Sequence, residues 1–196
     1  NKMMLIFGEK SMIQCREFRV KMRTWTKALL LGALLMNLIA CSHNPIVPLA
    51  TVAHVDLDRF MGDWFVVATI PTLFEKDLFN PVEHYARNAD GSIKITFSYR
   101  RGSLTAPKQQ ITATGFIQNS VTNATWAMQP FWPIKAEYLV IYLEEDQFTI
   151  IGRSKRDYLW IMARDAHIAP QALAALVDRA VALGYPREKI QLPIQP

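Results

Sequence analysis

Asp90-Gly91-Ser92-Ile93-Lys94-Ile95-Thr96-Phe97-Ser98-Tyr99-Arg100 is the stretch that decides the fold. Ile93, Ile95, Phe97 and Tyr99 alternate with Lys94, Thr96, Ser98 and Arg100, so a strand here turns one apolar face to a core and one wet face to solvent. Asp-Gly suits the left-handed backbone of a tight hairpin, and the run 82–87 before it supplies the partner strand. Working outward, the same alternation marks 63–70, 110–118, 124–128, 137–143, 148–153 and 158–163. The sequence therefore predicts eight strands.

Short polar links such as Glu144-Glu145-Asp146 and Lys155-Arg156-Asp157 join neighbours in sequence as neighbours in space. The expected fold class is all-β: an eight-stranded antiparallel up-and-down β-barrel, whose closure removes both sheet edges. A two-sheet sandwich needs longer crossovers than this chain offers. One helix follows. Pro170 suits its first turn, Leu173, Leu176, Val177, Ala180, Val181 and Leu183 recur at helical spacing, and Gly184 suits its end. That apolar stripe is expected to pack on the barrel wall.

Composition narrows the function. The chain has 196 residues, 22 Lys or Arg and 17 Asp or Glu. The first forty residues hold seven of the bases and two of the acids, so the remainder carries fifteen of each. The basic excess belongs to the N-terminus, and no nucleic-acid partner is expected. Residues 22–40 read as a signal peptide: Arg23 and Lys27 precede a mostly apolar stretch over 28–40, about 20 Å as a helix and too short to span a bilayer. Its end, Leu38-Ile39-Ala40-Cys41, resembles the lipobox of bacterial lipoproteins. That resemblance implies cleavage before Cys41, acyl chains on Cys41 as the membrane anchor and, with Ser42 next, sorting to the outer membrane of a Gram-negative bacterium. Residues 1–21 remain unassigned, 41–54 read as a linker with Pro45 and Pro48, and 55–196 as the barrel with its helix.

Gly62-Asp63-Trp64 opens the first strand, and Arg164 follows Asp157-Tyr158-Leu159-Trp160-Ile161-Met162-Ala163 at the end of the last, ahead of the helix. This combination, over roughly 55–194, resembles the lipocalin family, most closely the bacterial outer-membrane lipocalins. The family's middle motif, Thr-Asp-Tyr, stands here as Leu143-Glu144-Glu145. The resemblance implies that Trp64 plugs the closed end, that Arg164 lies over its indole, and that Gly62 lets the preceding segment pass close beneath. It also implies an interior that binds fatty acids, lysophospholipids or similar molecules.

Alternation offers Tyr85, Ile93, Ile95, Phe97, Ile111, Ala113, Gly115, Trp126, Met128, Tyr138, Val140, Tyr142, Tyr158 and Trp160 as inward, ligand-lining positions. Small Ala113 and Gly115 are expected to leave space among the aromatics, giving a pocket for a long apolar molecule with a polar head. A barrel filled solid by the same residues is the alternative. The proline-bounded stretch 71–81, with Leu73, Phe74, Leu78 and Phe79, carries more apolar side chains than an ordinary exposed loop. The resemblance implies that it folds across the mouth, with plain hydrophobic packing as the alternative. Arg100 and Arg101, late in the third strand, either meet a carboxylate or phosphate head at a rim or lie on a solvated face. No catalytic residue, metal or cofactor is expected. His43, His54, His84 and His167 lack metal-ligand spacing, no nucleophile elbow or phosphate loop occurs, and acylation uses the thiol of Cys41.

The reading of the leader carries its own test. In a Gram-negative host, Cys41→Ala is expected to abolish palmitate labelling and membrane retention; labelling that survives the substitution refutes the acylation.

Overall fold

The computed structural model describes residues 47–72, 75 and 77–196. The signal peptide, Cys41, Leu73 and Phe74 lie outside the described residues. A single-turn helix α1 (Leu57–Phe60) leads into eight strands: β1 (Gly62–Ile70), β2 (Leu78–Arg87), β3 (Ile93–Arg101), β4 (Gln109–Ile117), β5 (Thr125–Phe131), β6 (Ile134–Glu144), β7 (Phe148–Gly152) and β8 (Leu159–Ala163). Helix α2 (Pro170–Ala182) and a short 3-10 turn (Arg187–Lys189) follow. All neighbours pair antiparallel and β8 returns to β1, closing the barrel as the alternation predicted. The connections β1–β2, β3–β4, β5–β6 and β7–β8 gather at the mouth, and α1 and the remaining turns at the other end.

The hairpin that decided the fold pairs Tyr85 with Ile95 and Glu83 with Phe97. Its turn is held by Asp90, whose Oδ1 accepts from the Ser92 amide at 2.9 Å. Strand β2 begins earlier than the alternation suggested: a register shift between Phe79 and Val82 lets the chain bend at Asn80-Pro81, so Leu78 and Phe79 belong to a strand rather than to a loop.

At the closed end the Trp64 indole donates to the Phe60 carbonyl at 2.8 Å, and the Arg164 guanidinium carbon lies 3.8 Å from the indole's ring centroid. Arg164 also donates to the carbonyls of Arg59 at 2.6 Å, Asp63 at 2.8 Å and Asp146 at 3.3 Å. It thereby ties α1, β1 and the β6–β7 turn together. In that turn, standing where the family carries Thr-Asp-Tyr, Gln147 donates to Glu144 O at 2.8 Å and Asp146 pairs with Arg59 at 2.7 Å. Gly62 serves a different purpose from the expected close passage. Its φ is +92°, which L side chains adopt only under strain, whereas an added Cβ meets nothing nearer than Arg164 Nη1 at 3.6 Å.

Two cores result. Inside the barrel lie Trp64, Tyr85, Ile93, Trp126, Tyr138 and their neighbours. Outside, the α2 stripe of Leu176, Val177 and Ala180 packs on Ile70, Leu139, Ile141, Ile150 and Ile161. Gly152 belongs to the second contact: the Tyr185 hydroxyl occupies the place of its missing Cβ and bonds the Arg153 backbone.

The C-terminal tail was unforeseen. β1 pairs with β2 only over Gly62–Phe65, and toward the mouth residues 191–195 fill the opening between them. Thr69 and Gln191 exchange backbone bonds at 2.9 and 2.8 Å, Asn80 donates to Ile194 O at 2.8 Å, and the Gln195 side chain donates to Val66 O at 2.7 Å.

Trp64→Ala removes a fully buried aromatic and is expected to cost about 3–5 kcal/mol in urea unfolding. Arg164→Lys keeps the charge but loses the planar fork, and a smaller loss, about 2 kcal/mol, is expected. A neutral Arg164→Lys refutes the tie between α1, β1 and the β6–β7 turn.

Candidate functional site

The lower half of the barrel is filled. Phe60 lies 5.2 Å from Trp64 and 5.2 Å from Tyr85, Trp126 stacks on Tyr138 at 5.6 Å, and Tyr138 meets Trp160 at 5.9 Å. This continuous aromatic mass forms a floor. Above it, toward the mouth, is a cavity of about 220 Å³. Val66, Leu78, Phe97 and Trp160 give it apolar walls, Thr69, Glu75 and Asp77 polar ones, and tail residues 191–194 a side wall. The Trp160 indole N–H is buried in the cavity wall and acts on the nearby Glu75 carboxylate without a partner at full hydrogen-bond geometry among the described residues.

Of the fourteen interior positions read from the sequence, Phe97 and Trp160 line this cavity. Tyr85, Ile93, Ile95, Trp126, Tyr138 and Val140 are buried in the barrel interior, with Ala113, Met128 and Tyr158 partly buried against them. Three positions depart from expectation. Gly115 leaves no space for a ligand, because Trp126 and Ile95 stand 3.2 and 3.3 Å from where its Cβ would be. Ile111 shares the inward register of Phe97 but lies beyond the packed rungs and is 49% exposed. Tyr142 is on the outer wall under Arg179 of α2, 4.2 Å from its ring centroid. The register shift between Val140 and Tyr142 inserts one residue, which turns Tyr142 outward and Leu143 inward.

Glu83 is a buried carboxyl that the sequence reading omitted from the interior, as it omitted the cavity-lining Val66 and Thr69. It is 5% exposed and stands opposite Trp64 and Phe97. The hydroxyls of Tyr85 and Tyr138 both donate to its Oε2, the latter at 2.9 Å, and contact each other. Period two alone reveals it, since Tyr85 facing inward puts Glu83 on the same face. Burial pushes its pKa up to about 7 against the hydrogen bonds from Tyr85 and Tyr138, which lower it, and the charge of Glu75 adds to the rise. Burial also raises the pKa of Glu75, whose carboxylate accepts from the Thr72 amide at 3.1 Å. The acidic groups in and beneath the cavity are thus Glu75, Asp77 and Glu83, and its described walls hold no Lys or Arg.

Comparisons with known proteins agree with this architecture. A family model described as a lipocalin-like domain matches residues 55–195. Temperature-induced lipocalin-1 of Arabidopsis thaliana is 29% identical over 156 residues, covering 71% of this chain and 78% of that protein. Outer membrane lipoprotein Blc of Escherichia coli (strain K12) is 26% identical over 164 residues, covering 81% and 90%. Among solved structures, insecticyanin from the tobacco hornworm Manduca sexta superposes with a TM-score of 0.59 at 13% identity, covering 75% of this chain and 84% of that one.

Glu83 gives the molecule a pH signature. Folding raises its pKa from 4.5 to about 7, so the folded chain holds that proton more tightly than the unfolded one. The contribution is fully present below pH 4.5 and is lost as pH rises through about 7. The span corresponds to roughly 3 kcal/mol. Urea unfolding at pH 5 and pH 8 is expected to show wild type losing stability relative to Glu83→Gln at the higher pH. A difference between the two proteins that does not change with pH refutes the assignment.

Proposed function

The chain belongs to the lipocalin-like domain family, whose barrels generally bind small hydrophobic ligands, and from that premise we propose that it binds single-chain lipids, fatty acids or lysophospholipids, tail-first. The carrying observation is the apolar cavity above the aromatic floor, open toward the mouth. At about 220 Å³ it is smaller than the roughly 300–1,000 Å³ of pockets for drug-sized ligands, which suits one acyl chain rather than a bulky ring system. Electrostatics sets the orientation. With Glu83 beneath the cavity and Glu75 in its wall, an anionic head is disfavoured at the floor and stays at the rim, where Arg100 and Arg101 end β3 beside exposed Asp77.

The proposal extends to the setting: cleavage before Cys41, an acyl anchor there, and residence in an outer membrane as an envelope lipid carrier rather than an enzyme. The lipobox-like Leu38-Ile39-Ala40-Cys41 supports this, as does similarity to a relative named an outer membrane lipoprotein. A second reading, an envelope interaction protein acting through its surface, is favoured by one observation, the solid packing of the lower barrel.

Titration separates the two readings. Each buried methylene contributes about 0.8 kcal/mol in gross terms, so ten supply roughly 8 kcal/mol before ordering and desolvation costs reduce the result toward micromolar affinity. Delipidated protein titrated with fatty acids and lysophospholipids of increasing length is expected to bind more tightly until the cavity fills. Leu78→Trp, which enlarges a cavity wall, should weaken binding by about tenfold or more in a folded protein. Absence of saturable binding, or binding untouched by Leu78→Trp, favours the surface-acting protein.

A further inference from the structure

The β5–β6 hairpin has an unusual tip for an exposed turn. Strand β5 ends at Phe131 and β6 starts at Ile134, leaving Trp132-Pro133 between them at the mouth. Hairpin tips in water favour Gly, Asn and Asp. Here Phe131 is 63%, Trp132 84% and Ile134 49% exposed, and Phe131 pairs with Ile134 across the hairpin. Such a patch needs a partner.

Charge is divided along the barrel axis in a way that identifies the partner. Exposed Arg101, Lys108, Lys135 and Lys155 stand on the mouth strands and loops, together with exposed Asp77, Glu137 and Asp157, of which Asp157 pairs with Arg153 and Glu137 accepts from Ser154. The closed end exposes Asp56, Asp58, Asp63, Asp90, Glu144, Glu145 and Asp165 against Arg59, Arg87 and Lys94, an acidic balance. A molecule with that polarity turns its mouth toward a negative surface. A second copy brought mouth to mouth would instead set two basic rims against each other.

The chain also enters at this end. Arg156, in the β7–β8 connection, donates to the Val47 carbonyl at 2.6 Å, so the described chain begins beside the mouth. Cys41 lies six residues earlier, a tether of at most about 20 Å.

We propose that the mouth docks on an anionic lipid surface, with the apolar tip of the β5–β6 hairpin entering the interface and the basic rim residues meeting lipid phosphates. Trp and Phe are suited to that layer, and basic residues near it are drawn by its surface potential. The tether step rests on the acylation proposed at Cys41; the hairpin and the charge polarity do not. Docked in this way, the cavity opens onto the membrane from which a single-chain lipid would enter.

The test uses the full chain with vesicles of phosphatidylcholine alone or with phosphatidylglycerol, carrying plain or brominated acyl chains. Emission of wild type minus that of Trp132→Phe isolates Trp132 from the other tryptophans. The expected result is a blue shift and bromine quenching of Trp132 in phosphatidylglycerol vesicles, reduced about fivefold or more by Lys108→Glu with Lys155→Glu. Loss of quenching in Phe131→Ser with Ile134→Ser, in a protein of native circular dichroism, adds support. Trp132 emission unchanged from water overturns the docking, and so does quenching that is equal in uncharged vesicles. A blue shift without quenching, together with doubled mass in sedimentation, assigns the tip to a second copy and also overturns it. Palmitate labelling of Cys41→Ala reads the anchor separately, and the lipid titration reads the cavity.

Discussion

The Arg164 guanidinium over the Trp64 indole is the contact on which the rest of the barrel depends. Its three carbonyl acceptors come from Arg59 before the first strand, Asp63 within it and Asp146 between the sixth and seventh, while its own amide donates to Gln147 O at 3.0 Å. One side chain therefore satisfies backbone groups from segments distant in sequence, at the end where a barrel would otherwise expose them. Burial lowers the pKa of this guanidinium, and nearby Asp146 and Asp63 draw it back up. The strength of the tie comes from planarity and charge together, which an ammonium does not reproduce.

Closing that end decides where a ligand site can be. With Trp64 fixed, Phe60 packs against it, Tyr85 and Trp126 against Phe60, and Tyr138 on Trp126, so the aromatic mass grows upward from the plug. Above this stack, where Trp160 meets Tyr138 at 5.9 Å and Tyr158 at 6.4 Å, the cavity opens toward the mouth. The same geometry removes Gly115 from the cavity: its missing Cβ makes room for Trp126, and a residue that reads as vacancy in the sequence serves packing in the fold.

Most of the architecture was legible because alternation and turn chemistry are local. The 82–87 and 93–99 hairpin and the helix stripe follow from spacing, and the Trp64/Arg164 contact was legible through the resemblance to the lipocalin family. What escaped detection is non-local. No sequence signal marks the one-residue insertion between Val140 and Tyr142, and a period-two reading continued through it puts Tyr142 on the wrong face. Residues 191–195 carry no periodicity of their own, and their place is defined by the opening that β1 and β2 leave. Glu83 is the opposite case: its inward position follows from that of Tyr85, but an expectation of apolar interiors passes over a carboxyl whose oxygen two tyrosines satisfy.

That carboxyl gives the interior a direction. A barrel lined only with hydrocarbon is indifferent to which end of an amphiphile enters. Here Glu83 lies below the cavity and Glu75 lines it, each with its pKa raised by burial, while basic Arg101 and Lys108 stand at the outer rim. When ionised, these carboxyls repel an anionic head from the floor while the bases attract it at the entrance, so a lipid bound as proposed leaves the apolar walls of Val66, Leu78 and Phe97 to its tail. The polarity that would orient the proposed lipid has the same sign as the net polarity of the barrel, with acids in excess at the closed end and bases in excess at the mouth. One arrangement of charge therefore suits both a ligand entering tail-first and a mouth turned toward the negative surface from which it comes.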